Sequence, residues 1–477
     1  MWQPVLMICG YFINVLGITM LIPAAVDIYY SHAKWSIFIN SSIVSLFIGL
    51  SLFLANRGKI KEISIQQAYL LTVLSWTSVA VLGALPFVFY GTSITDALFE
   101  GFAGVSTTGV SIYTDVEKLP SALLLWRSLL NGLGGVGIVI FATALLPFLG
   151  VGGMQIFQRE NSDVNEKIMP KMSYMAKRII LTYLLLMAIC SVCLKFAGMN
   201  WFDALCHALS TISTGGASTK NASIAAFGSA EIEWIITLFM FLSALPLAFY
   251  YSFLTTRDVH SLRSVQVPAF IKILAVYSLV LWLWLIIYDF YTPFEALRHA
   301  IFNVVSLTSS TGFYADNYFL WGSFPVTLVL IFSLTGGCSG STTGSIKIFR
   351  WQVIFAQLKR SFIITTEPNR MIPLKIGGTS ISSSVAHSVF IFFATYMLSL
   401  ATLTILVSLS GVDFVTSFSA VTACMTNVGM GFSIQLGPDG TYAFFSDGAK
   451  LILSFAMILG RLEVMTVLVL FTKSFWR

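Results

Sequence analysis

Asp96-Ala-Leu-Phe-Glu-Gly-Phe-Ala-Gly-Val-Ser-Thr-Thr-Gly109 is the stretch on which the reading of this chain turns. Three others share its design. They are Asp203-Ala-Leu-Cys-His-Ala-Leu-Ser-Thr-Ile-Ser-Thr-Gly-Gly216, Glu295-Ala-Leu-Arg-His-Ala-Ile-Phe-Asn-Val-Val-Ser-Leu-Thr-Ser-Ser-Thr-Gly312 and Asp413-Phe-Val-Thr-Ser-Phe-Ser-Ala-Val-Thr-Ala-Cys-Met-Thr-Asn-Val-Gly429. Each opens with a carboxylate, which favours a helix start because the macrodipole is positive there. Each continues as a short amphipathic piece and closes on small polar residues and a glycine. Four occurrences at this spacing indicate one unit used four times.

The surroundings of these stretches decide the class. The 477-residue chain is 57% hydrophobic and only 10% charged, with a mean hydropathy of +0.85. A soluble domain carries about 25% charge, so a chain this poor in charge is suited to lipid rather than water. Apolar runs at 5–30, 36–55, 65–90, 121–148, 175–196, 232–254, 270–288, 325–334 with a continuation, 388–408 and 450–475 give ten candidate spans. Basic residues follow every even-numbered run: Arg57, Lys59 and Lys61; then Arg159, Lys167, Lys171, Lys177 and Arg178; then Arg257 and Arg263; then Arg350, Lys359, Arg360, Arg370 and Lys375; and finally Lys473 and Arg477. By the positive-inside rule those sides, and both termini, are cytoplasmic. The net charge of +6 is therefore an orientation signal, and no nucleic-acid partner follows from it. The run at 5–30 is too long for a signal-peptide core and reads as a retained span.

The four stretches then fall on the outer side, each between two spans. A helix that enters and leaves on one side brings non-helical backbone to membrane depth, which is tolerated only beside protein or a watery cavity. The inward end of such a helix carries partial negative charge and favours a cation. Carbonyls from the following loop can replace a hydration shell, and glycine leaves room for them to point inward. The expected fold is an all-α polytopic membrane protein: four span–pore-helix–span repeats around one pseudo-fourfold pore, plus two N-terminal spans. The segments would be 1–62 for the two N-terminal helices, then repeats at 63–160, 161–262, 263–372 and 373–477.

Longer motifs carry a family resemblance. They are Leu124-Leu-Trp126-Arg127-Ser-Leu129, Leu146-Pro-Phe-Leu-Gly150-Val-Gly-Gly-Met-Gln155, Gly336-Gly337-Cys338-Ser339-Gly340-Ser341-Thr342-Thr343-Gly344-Ser-Ile-Lys347 and Phe455-Ala-Met-Ile-Leu-Gly460-Arg461-Leu-Glu463. With the four Gly-ended loops, they make the chain resemble, over nearly its whole length, the Trk/Ktr/HKT superfamily of potassium transporters, and its TrkH branch in particular. The resemblance implies a selectivity filter at Thr107, Thr108, Gly109, Thr214, Gly215, Gly216, Ser310, Thr311, Gly312, Asn427, Val428 and Gly429. Sodium-favouring relatives often carry serine at the first-repeat glycine, so Gly109 implies potassium. Ala217 departs from the pattern, since many relatives have an aromatic residue there. The resemblance also implies a homodimer with one pore per subunit in a bacterial inner membrane. A cytoplasmic, TrkA-like nucleotide-binding regulatory subunit would gate it. Potassium is then the transported ion, and no organic cofactor is expected on this chain.

Residues 336–344 interrupt the eighth run with glycine, serine and threonine, where a helix is costly: about 1 kcal/mol per Gly against Ala. This stretch is expected to be a constriction that gates the pore, with Lys347 at its end; the alternative is close helix packing by small residues. Arg461, in the tenth run, needs a partner or water. Glu463 is two residues away and faces another side of a helix, so carbonyls of the opened eighth run are the expected acceptors, with a structural salt bridge as the alternative. Gly132-Leu-Gly134-Gly-Val-Gly137 spells a dinucleotide fingerprint but lies within an apolar run, so packing is its role. The six scattered cysteines suggest no disulfide framework. His207 and His299 are expected to serve as hydrogen-bonding groups. An ion-coupled secondary transporter of another small solute is the competing class, but it would show paired broken helices in two halves. No catalytic motif suggests an enzyme.

Overall fold

The computed structural model describes residues 2–30, 34–58, 63–144, 168–247, 249–250, 265–370, 372–438 and 440–477, with the side chains of 142–144, 168–175 and 379 set aside. The motif at 146–155 and the basic residues Lys59, Lys61, Arg159, Lys167, Arg257 and Arg263 lie outside the described residues, as does the Lys171 side chain.

The described residues are predominantly helical; the strands among them are a two-residue pair, Lys375–Ile376 with Thr379–Ser380, joined at Gly377 and Gly378. Seven helices among the described residues are long and apolar enough to cross a membrane: Trp2–Tyr29, Trp35–Ala55, Ile65–Tyr90, Ser121–Phe141, Ala176–Phe196, Gln266–Ile287 and Ser383–Ser408. A further apolar pair of helices, Asp447–Arg461 and Val464–Phe471, is bent by 114°, as in a broken span or a re-entrant loop.

Of the ten candidate spans, seven are thus continuous long helices among the described residues. The three remaining runs do hold helices, but these stop short, each for a local reason. Ala230–Ser243 ends ahead of Pro246, whose ring removes a donor and clashes with the preceding turn. Ser323–Leu334 ends at Thr335, ahead of Gly336 and Gly337. Asp447–Arg461 ends at Leu462, and Glu463 then turns left-handed at φ +65°.

Small residues set the closest helix contacts. The first two spans pack so tightly that a Cβ on Gly10 would lie 2.7 Å from the Gly49 carbonyl oxygen. In the Ser121–Ala144 helix, Gly132 faces Leu209, Gly135 faces Tyr183 and Ser213, and Gly137 faces the Trp76 ring. The fingerprint-like glycines therefore serve packing, as in other membrane helices where glycine lets neighbours approach. Trp126 on the same helix is fully buried and donates to the Gly83 carbonyl at 2.9 Å. The six cysteines are free.

Candidate ion pathway

Four short helices, Ile94–Val105, Trp201–Ile212, Pro293–Thr308 and Phe414–Thr426, carry the four repeated, glycine-ended stretches. Their starts are capped by side chains. Ser93 accepts from Asp96 N at 3.2 Å, Asn200 from Asp203 N at 2.7 Å, and Asp413 from Thr416 N at 2.9 Å, while Thr292 and Glu295 form a capping box. Satisfying these donors fixes where each helix begins, and its length then fixes where the C-terminal end delivers the chain.

After each helix the backbone repeats one turn. Thr107, Thr214, Ser310 and Asn427 are left-handed, with φ of 53°, 55°, 55° and 54°. Two residues later Gly109, Gly216, Gly312 and Gly429 are again at positive φ, between 65° and 82°. The residue between them donates its N–H five residues back into the helix: Thr108 to Ala103 at 2.9 Å, Gly215 to Ser210 at 2.8 Å, Thr311 to Ser306 at 2.9 Å and Val428 to Ala423 at 3.1 Å.

The four loops meet in a closed ring. A Cβ on Gly109 would collide with the Gly215 carbonyl oxygen, one on Gly216 with that of Thr311, one on Gly312 with that of Val428, and one on Gly429 with that of Thr108. The sequence-expected residues 107–109, 214–216, 310–312 and 427–429 are therefore all brought together, each loop against the next in chain order. Glycine is required here on two counts, its positive φ and the absence of space for a side chain.

While every loop N–H group except that of Gly216 is paired among the described residues, the carbonyls are mostly bare. Among the described residues, nothing donates to the carbonyls of 107–109, 214–216, 310–312, 427 or 428; Gly429 accepts from the Tyr442 hydroxyl at 3.3 Å. Thr107, Thr108, Thr214, Ser310, Thr311 and Asn427 are completely buried. Buried carbonyls almost always have a partner, so a ring of unpaired ones calls for water or a cation. On the side of the glycines the ring opens into a cavity of about 450 Å³, lined by Gly109, Gly216, Gly312 and Gly429 together with residues such as Tyr113, Lys220 and Tyr442.

On its other side the ring rests on residues 336–344. This stretch is not helical and is largely buried. Thr214 Oγ1 donates to the Thr342 carbonyl at 3.0 Å, Gly344 N to Ser310 Oγ at 2.5 Å, and Ser345 N to the Thr426 carbonyl at 3.0 Å. Further bonds hold it from the side: Cys338 N to the Ala244 carbonyl at 3.0 Å and Ser339 N to Gln266 Oε1 at 2.9 Å. Lys347 Nζ donates to the carbonyl and hydroxyl of Thr343. The stretch expected to be a constriction is thus tied by hydrogen bonds to the second and third loops and, through Ser345, to the end of the fourth short helix.

Arg461 lies at the kink that ends the Asp447–Arg461 helix, not in the middle of a straight span. Its Nη1 donates to the Thr342 carbonyl at 2.9 Å, an acceptor on the opened segment. Glu463 pairs with Arg350 at 2.7 Å instead of with Arg461. His207 is bonded through both ring nitrogens, to the Asp203 carbonyl at 2.8 Å and Ser218 Oγ at 2.9 Å.

Sequence reasoning missed the ion pairs that brace the ring. Glu100, almost wholly buried on the first short helix, takes Arg127 at 3.0 Å, Ser111 Oγ at 2.7 Å and Ile112 N at 2.8 Å, and so ties the chain leaving the first loop back to its own helix. Lys450 meets Asp96 at 2.5 Å, joining the last long helix to the first short one. Only the charges themselves, rare in an apolar chain, could have signalled them.

Comparison with known proteins agrees with this geometry. A family model, TrkH, described as a cation transport protein, matches residues 33–477. The chain is 36% identical over 485 residues to the Trk system potassium uptake protein TrkH of Halomonas elongata, with 99% of each covered. It is 35% identical over 480 residues to the protein of the same description from Escherichia coli, with 98% of each covered. The crystal structure of the potassium transporter TrkH from Vibrio parahaemolyticus has a TM-score of 0.93 and 32% identity, covering 100% of both chains.

Proposed function

This chain belongs to the TrkH family of cation transport proteins, and from that premise we propose that it takes up potassium across the cytoplasmic membrane of a bacterium through the ring of loop carbonyls. The family is one of transporters and not of enzymes. The observation that carries the proposal is the set of unpaired, buried carbonyls contributed by all four loops. Leaving such groups bare costs free energy, and a dehydrated cation gains what it lost in hydration by entering among them. The four short helices add to this, because their C-terminal ends, negative by the macrodipole, converge on the same ring. Gly109, which marks the potassium-preferring pattern, supports potassium over sodium.

In this reading the cavity of about 450 Å³ is the outer vestibule where hydrated ions collect. Residues 336–344, Lys347 and Arg461 form the gate, since they lie against the inner side of the ring and place two cationic side chains there. An ion leaving the ring meets both the segment and that charge. Basic residues such as Lys359, Arg360, Lys473 and Arg477 orient this end, and the termini, to the cytoplasm. The working assembly is a homodimer, and a separate nucleotide-binding cytoplasmic subunit opens the gate.

Purified protein in liposomes tests the proposal directly. Rubidium should enter down its gradient, potassium should compete, and sodium should compete weakly. No rubidium uptake by folded, reconstituted protein under any potassium gradient, with or without the regulatory subunit, would defeat it.

A further inference from the structure

A second cavity, of about 40 Å³ and with no lining residue in common with the vestibule, lies between the Gly-rich segment and the kinked last span. Its wall includes Lys347, Arg350, Arg461 and Glu463, so three cations face one carboxylate, and Glu463 is the only carboxylate lining it among the described residues. Arg350 and Glu463 neutralise each other at 2.7 Å. Lys347 and Arg461 form no direct ion pair among the described residues. Lys347 is bonded to Thr343 and Ser341, and Arg461 to the Thr342 carbonyl, all uncharged groups.

The unused hydrogen-bonding groups on this wall are mostly donors. Arg461 Nε and Nη2, Arg350 Nε and the Tyr396 hydroxyl are buried without a partner among the described residues, on residues that are 3%, 3% and 2% exposed. A guanidinium has no acceptor to offer, and its charge-assisted bonds are the strong ones. A buried cation left without a counter-charge is costly. Excess positive charge and several orphaned donors around one small space make a receptor for an anion. The space also limits the ligand: about 40 Å³ holds one monatomic ion with a water or two, given that one water needs roughly 10–15 Å³ by this measure. Phosphate and the bulkier organic anions exceed that space.

We propose that this cavity binds one small monovalent anion of the chloride class, held by Arg461, Lys347 and the Tyr396 hydroxyl. The remaining orphan on the wall, Glu463 Oε2, is an acceptor, and a water beside the anion supplies its donor. The anion bridges the Gly-rich segment, through Lys347, to the kink, through Arg461. Its loss loosens the attachment between them. Nothing in this assignment depends on which cation the protein carries.

The test uses the full chain in detergent at fixed potassium concentration, with chloride or bromide exchanged for gluconate. The halides should raise the melting temperature saturably, by roughly 1–3 °C at concentrations well above the dissociation constant, and gluconate should not. Arg461→Gln and Tyr396→Phe should each remove the halide-dependent increment. Crystals of the wild-type protein grown in saturating bromide decide the matter independently of any variant's folding. An anomalous peak between Arg461 and Tyr396 supports the site. Absence of a peak there, whatever the melting behaviour, overturns it.

Discussion

Replacing Gly109 by serine imposes two penalties at once. The residue is at φ +74°, where an L side chain costs about 1–2 kcal/mol. Its new Cβ would also run into the Gly215 carbonyl oxygen of the neighbouring loop. Carbon–oxygen contacts settle at about 3.3 Å or more, so that carbonyl has to retreat by roughly 1 Å. With an oxygen partial charge of ~0.5, an ion–oxygen distance of ~2.8 Å and an effective dielectric of ~20, the attraction is roughly 3 kcal/mol, and it falls to roughly 2.2 at ~3.8 Å. One displaced carbonyl therefore costs a bound potassium ~0.8 kcal/mol, about fourfold in rate. If Thr108, on the substituted residue's own loop, shifts as well, the effect is about 15-fold. Rubidium influx into liposomes should fall within that range, and the preference for potassium over sodium should narrow with it. A monodisperse variant with wild-type rubidium influx and an unchanged potassium-to-sodium ratio would refute the reasoning, because the carbonyl ring would then not be where ions are chosen.

Three other outcomes are expected. Arg461→Gln frees the Thr342 carbonyl from its guanidinium and removes a cation from beside the proposed gate; two unit charges ~6 Å apart repel by roughly 3 kcal/mol at a dielectric of ~20, so basal rubidium flux should rise by up to about 100-fold with the potassium-to-sodium ratio unchanged. Glu100→Gln strips Arg127 of its counter-charge in a pair whose side chains are only 7% and 2% exposed; breaking a buried pair costs about 3–5 kcal/mol, and a melting temperature lowered by several degrees in a scan of purified protein is the check. Cysteines replacing Lys118, 84% exposed, and Arg370, 59% exposed, should report opposite sides of the membrane: an impermeant maleimide applied to intact cells should label position 118 and spare 370, and the reverse would invert the proposed orientation.

What the sequence makes legible follows from which interactions are local. Seven spans are readable because about 20 apolar residues in a row admit few other structures. The four loops are readable because glycine at 109, 216, 312 and 429 is the residue type that positive φ demands. Left-handed backbone at Thr107, Thr214 and Ser310 carries no such signal, since threonine and serine rarely adopt it; of the four equivalent positions only Asn427 is a residue type enriched there. The shortened helices were half visible. Pro246 and the glycines at 336 and 337 announce two of the breaks, but the kink at Glu463 has no Pro or Gly to mark it, Gly460 lying within the helix before it. The ion pairs were invisible because Lys450 and Asp96 are 354 residues apart, and only the closed ring brings them together.

The hydrogen bonds that suspend residues 336–344 have a thermodynamic corollary. Thr214 Oγ1 and Ser310 Oγ belong to the very residues that begin two of the ring loops, and Thr426 immediately precedes a third. Withdrawal of the segment therefore alters the groups that shape the ring, and occupancy of the ring alters how firmly the segment is held. Linkage makes that influence equal in both directions. A coupling of only ~1.4 kcal/mol would change the open fraction about tenfold between an empty ring and a filled one. External potassium would then act as an effector of its own entry, shifting the position of the segment with no other ligand changed.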